Sequence, residues 1–109
     1  MKVINRIKKT QDFGLAINKG KTFRLPNFII HVKNNDLGLT RVGISASSKL
    51  GHAVVRNRIK RQVRAMLATR NDYSSSINII VVIRPNYDET KFHANEQELN
   101  DLLNKTKEI

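Results

Sequence analysis

Twice in the middle of the chain, apolar and polar residues alternate with a period of two. Over residues 27–33, Phe28, Ile30 and Val32 alternate with Asn27, Ile29, His31 and Lys33. Over residues 39–47, Val42, Ile44 and Ala46 alternate with Arg41, Gly43, Ser45 and Ser47. That period belongs to strands with one face covered. Asn34, Asn35, Asp36 and Gly38 supply turn chemistry between them, so the pattern predicts two strands joined by a turn, their polar faces side by side. Residues 21–24 predict a shorter edge strand, ended by Pro26. Residues 77–84 are apolar on both faces in their middle, as in a strand covered on both sides.

Helical spacing takes over elsewhere. Residues 52–70 place Val55, Ile59, Val63 and Met66 in one stripe, which has to face the sheet. A further helix is expected to start near Asp88, with Asn86 and Glu89 at capping-box spacing and Phe92, Leu99 and Leu103 on one side. At the beginning of the chain Thr10 can cap a helix over residues 10–19, with Gly20 just past its end. Phe13 and Ile17 share a face of it, and Gly14 weakens it by about 1 kcal/mol relative to alanine. The expected class is α+β in a single domain: a small, mixed, mostly antiparallel four-stranded sheet with three helices, in the order αβββαβα.

Composition narrows the chemistry. There is no cysteine among the 109 residues, hence no disulfide framework and no thiolate zinc site. The longest apolar run, Ile79 to Ile83, is far short of a membrane span. No apolar segment follows the basic first nine residues as a signal peptide requires, so a cytoplasmic protein is expected. Charge changes the picture most. Residues 1–70 hold 16 bases and 2 acids, a net of +14, whereas residues 71–109 hold 4 bases and 7 acids, a net of −3. A body so basic is built for a polyanion, and nucleic acid fits better than a lipid surface, since no tryptophan or broad apolar anchor accompanies the charge.

The charge is densest on the central helix. Asn57, Lys60, Arg61 and Arg64 lie opposite its apolar stripe, with Arg56 and Arg58 flanking it. No acid falls between Asp36 and Asp72 to relieve the repulsion. A solvated basic face without a partner is one reading. The sharper one is a helix tracking phosphates, with arginine forks on backbone oxygens and Asn57 as a neutral donor. The strands around it suit folded RNA better than a major-groove recognition helix. A second candidate is the polar strand face, where His31 and Ile29 are expected beside Gly43, Ser45 and Ser47. The small residues leave room for an extended chain; Phe13 and Ile17 either wall that groove, Phe13 stacking on a base, or simply pack the first helix on the sheet. No catalytic set emerges. The serines lack a paired histidine and acid, and His31, His52 and His93 lack ligand spacing.

The run from Arg41 to Arg61, and within it Arg56-Asn57-Arg58-Ile59-Lys60-Arg61 after Gly51-His52-Ala53-Val54, strongly resembles the bacterial ribonuclease P protein subunit. Arg6-Ile7-Lys8-Lys9, Asp12-Phe13 and Arg84-Pro85 extend the likeness over nearly the whole chain. The resemblance implies a ribonucleoprotein that removes 5′ leaders from precursor tRNA by magnesium-assisted hydrolysis. In it the RNA subunit is the catalyst, magnesium is held mainly by RNA and substrate, and no protein partner is required. It implies that Arg56, Asn57, Arg58, Lys60, Arg61 and Arg64 dock on the catalytic RNA. The leader groove would be carried by Phe13, Ile17 and His31 with Ser45, Ser47 and Lys49. It also implies a left-handed crossover between two parallel strands, against the usual hand. This sequence departs from the family at Ile17 and His31, where aromatics are usual, at Ser48 for a lysine, and at His52 for an asparagine. A ribosome-associated RNA-binding protein is the alternative, and the RNA that copurifies with the chain separates the two.

Overall fold

The expected strands form, but the two middle strands expected beside each other are not neighbours in the sheet. The computed structural model describes residues 21–35, 38–69 and 76–106. They give β1 (Lys21–Arg24), β2 (Phe28–Asn34), β3 (Arg41–Ala46), a 3-10 turn (Ser48–Leu50), α1 (Ala53–Ala68), β4 (Ile77–Ile83) and α2 (Phe92–Thr106). The class is α+β, a four-stranded mixed sheet with two α-helices among the described residues. The expected first helix, residues 10–19, and with it the third helix of the expected set, lies outside them.

The sheet order is β1-β2-β4-β3. β1 with β2 and β2 with β4 run antiparallel, whereas β3 and β4, joined through α1, run parallel. β2 and β3 are therefore not side by side, because β4 lies between them. A period of two fixes which face a side chain takes, not which strand comes next. β4, apolar on both faces, buries most at the centre of the sheet. Ile79, Val81 and Ile83 on one face and Ile80 on the other are all at most 4% exposed. The link from β2 to β3 is bonded to the residue preceding β4. Asn35 N–H donates to the Ser76 carbonyl at 2.8 Å and Gly38 N–H to Ser76 Oγ at 3.0 Å.

The core fills one side of the sheet. Phe28, Ile30 and Val32 of β2 and Ile79, Val81 and Ile83 of β4 meet Ile59, Val63, Met66 and Leu67 of α1 and Leu99, Leu102 and Leu103 of α2. The expected stripe of α1 does face the sheet, extended by Leu67, with Val55 partly buried at its margin. A set of polar bonds holds α2 in place. Glu98 accepts from the Asn27 backbone N–H at 3.0 Å and from Asn27 Nδ2 at 3.1 Å, and buried Asn95 donates to the Asp88 carbonyl at 2.8 Å.

α2 begins at Phe92, later than the capping-box spacing of Asn86 and Glu89 predicts. Asp88 spends its carboxylate on a separate turn, accepting from the Thr90 N–H at 3.0 Å and the Thr90 hydroxyl at 2.7 Å. Glu89 is drawn to α1 instead, so it does not cap α2.

Candidate nucleic-acid interface

Burying one stripe of α1 leaves the rest of its circumference outside. Asn57, Arg61 and Arg64 are exposed, and Lys60 and Arg56 are half-buried at the margin. The helix has no acid in its first turn, and His52 at its N-cap makes no side-chain cap bond, so the positive end of its dipole is not offset there. Arg56 Nε is buried and has no hydrogen-bond partner among the described residues. The cationic face read from the sequence is therefore assembled on a helix whose other side is fixed to the sheet.

Arg58 differs from the other bases. Its Nε donates to Glu89 Oε2 at 2.9 Å and its Nη2 to Glu89 Oε1 at 2.7 Å, a two-pronged fork. The hydrogen bond and charge of Arg58 hold the Glu89 carboxyl below the usual carboxylate range, and Glu89 in turn holds the guanidinium charged. One turn along, Gln62 Nε2 donates to the Glu89 carbonyl at 3.0 Å, and the Tyr87 hydroxyl donates to Gln62 Oε1. The sequence reading placed Glu89 in a helix cap and missed its pairing with Arg58, which is 31 residues away.

The second candidate lies on the sheet face away from the core. Register lines up Thr22, His31, Ile80 and Gly43 in one row and Arg24, Ile29, Val82 and Ser45 in the next. Lys33, Asn78 and Arg41 form a third row. His31 and Ser45 thus share a face but are two strands apart, ~10 Å at ordinary strand spacing, with Ile80 and Val82 between them. The floor of this face is apolar, and Arg24, Lys33 and Arg41 frame it. Sequence reasoning missed these three bases as a group, since they come from three strands and only the register unites them. His31 is half-buried with Nδ1 3.0 Å from Thr22 Oγ1. Burial, and secondarily the Arg24 charge, push its pKa below the ordinary imidazole value.

The remaining expected groove residues divide. Ser47 precedes the 3-10 turn, where its Oγ accepts from the Lys49 N–H at 3.2 Å, and the Lys49 side chain is exposed. Phe13 and Ile17 lie outside the described residues. No group of three or more His, Asp or Glu side chains suited to holding a metal converges among the described residues. None of the described helices is long and apolar enough to cross a membrane.

The chain is similar to ribonuclease P proteins in both sequence and fold. The family model described as Ribonuclease P matches residues 1–107. The ribonuclease P protein component of Alkaliphilus metalliredigens is 34% identical over 106 residues, covering 96% of each chain. That of Mesoplasma florum is 38% identical over 99 residues, covering 89% of this chain and 90% of the relative. Among solved structures, the Staphylococcus aureus RNase P protein superposes with a TM-score of 0.84 at 33% identity, over 94% of this chain and 95% of that one. The Thermotoga maritima RNase P protein gives 0.81 at 26% identity, over 92% and 96%. With the family model spanning nearly its full length, the chain belongs to the ribonuclease P protein family.

Proposed function

We propose that this chain is the accessory protein of a cytoplasmic ribonuclease P ribonucleoprotein, docking on the catalytic RNA and holding the 5′ leader of precursor tRNA. The observation that carries the reading is the one-sidedness of α1. Ile59, Val63, Met66 and Leu67 are buried against the sheet, and the opposite face presents Asn57, Arg61 and Arg64 without an acid of its own helix among them. Arginine forks and a lysine bind phosphate oxygens in the irregular geometry of folded RNA, with Arg56 and Arg58 at the margins of the set.

The leader lies on the other sheet face. The half-buried Ile29 and Val82 offer apolar surface to sugars and bases, while Arg24, Lys33 and Arg41 neutralise backbone charge around them. Phe13, Ile17, His31, Ser45, Ser47 and Lys49 complete this groove in the proposal, with Phe13 supplying a stacking surface. The parallel pair β3 and β4 are joined through α1 by a left-handed crossover. The RNA subunit performs the hydrolysis, and magnesium is held mainly by RNA and substrate. The protein supplies affinity and orientation, without a catalytic side chain and without a protein partner.

The test is cleavage of precursor tRNA by the catalytic RNA at low magnesium, with and without the chain. Added protein should accelerate cleavage, and protein alone should cleave nothing. An unchanged rate, or turnover by protein freed of RNA, would sink the proposal.

A further inference from the structure

Taken at 100° per residue, the exposed side of α1 has two unlike flanks. Asn57, Arg61 and Arg64 run along its middle, Arg56 and Lys60 fall on one flank, and Arg58 and Gln62 on the other. The second flank is occupied by the segment between β4 and α2. Both carboxylate oxygens of Glu89 are taken by Arg58, at 2.7 and 2.9 Å.

We infer that Glu89 withdraws Arg58 from the phosphate-binding set, so that docked RNA lies over Asn57, Arg61, Arg64 and Lys60 and stops at the Arg58 flank. The inference rests on the reading of α1 as the RNA-docking helix and deepens it. Arg58 is then a positioning residue for the margin of the docking surface, although it belongs to the same basic motif as Arg61.

The argument is electrostatic. Gln62 holds the backbone of Glu89 through a bond to its carbonyl at 3.0 Å, and Tyr87 holds Gln62. The acid is therefore placed on this flank whether or not Arg58 pairs with it. A phosphate that took Arg58 for itself would leave the Glu89 carboxylate unpaired beside a polyanion, where like charges repel. Keeping the fork intact leaves that flank neutral, and the RNA gains more from Arg61, Arg64 and Lys60, which have no carboxylate on them among the described residues. Glu89 thereby limits the docked footprint on one side only.

The experiment is the salt dependence of binding to the ribonuclease P RNA transcribed from the same genome, for the intact protein and four variants. Each phosphate contact contributes a slope of roughly 0.7–0.9 in log affinity against log salt. The double variant Arg58→Gln/Glu89→Gln, which removes both charges and keeps the backbone bond to Gln62, should retain the parent's slope. Glu89→Gln alone frees a guanidinium and should steepen the slope by about one contact's worth, 0.7–0.9. Loss of that amount in the double variant, or no steepening in Glu89→Gln, overturns the inference. Arg61→Gln and Arg64→Gln are the controls for the reading beneath it. If their slopes match the parent's, α1 is not the docking helix. If they fall while the double variant falls too, the helix docks and Arg58 takes part. A thermal midpoint for each variant confirms that the proteins compared are folded.

Discussion

Gly51 shows what a single residue contributes that the chain's pattern does not display. Its φ of +132° with ψ of −161° belongs to a region reserved for glycine, and it sets the path from the 3-10 turn into α1. An added Cβ would meet Val55 at 3.5 Å, an ordinary contact, so the cost of Gly51→Ala is in the backbone. The variant should lose about 1–3 kcal/mol of stability in a urea titration. An alanine variant as stable as the parent would show that the turn relaxes freely. In the sequence Gly51 was legible as part of a family motif, but its torsion angle was not. His31 offers a second residue-level test. Its native pKa is depressed, so below about pH 6.5 the unfolded chain binds the proton that the folded one resists. Stability should fall as the pH drops through that value and level off once the native imidazole is also charged. His31→Gln should remove this part of the profile when thermal midpoints are followed from pH 7.5 to 5.5.

At the scale of elements, what the sequence revealed and what it hid have separate physical causes. Lys21–Arg24 and Ile77–Ile83 were legible because apolar and polar runs bounded by turn residues leave little choice of register. The faces of β2 and β3 were legible for the same reason, yet their neighbours were not, since pairing is decided by which strand most needs the centre of the sheet. The start of α2 was misplaced because the carboxylates of Asp88 and Glu89 were each claimed by a stronger partner than a helix cap. Asn95 tests how α2 is held: at 2% exposure its amide joins the Asp88 carbonyl to the Asn27 side chain. Asn95→Ala should cost about 1–3 kcal/mol, because both of these bonds are lost from the interior. Val63→Ala in the buried stripe of α1 should also destabilise the fold, whereas Arg61→Ala on its outer face should leave stability within about 0.5 kcal/mol of the parent. Urea titrations of the three variants check this. Equal losses at positions 61 and 63 would contradict a helix with one packed and one free side.

For the whole molecule, the charge division of the chain becomes a division of surfaces. The basic first two thirds supply α1 and the cations on the sheet face away from the core, while the acidic last third supplies Glu89, which meets α1 at its flank, and Glu98, which anchors α2. The basic helix was legible from sequence because its bases are consecutive on one element. The far face of the sheet was not, because Arg24, Lys33 and Arg41 come from three strands and are placed around one face only by the register with β4 between β2 and β3. Two separate surfaces suit the proposed pair of roles, docking on RNA with one and holding a single-stranded extension with the other. The most direct measurement compares binding of precursor and mature tRNA to the catalytic RNA with and without the chain. The account predicts that the protein tightens precursor binding by about 5- to 150-fold, the worth of one stacked base, and leaves mature tRNA nearly unchanged. Equal tightening of both, or of neither, would contradict it.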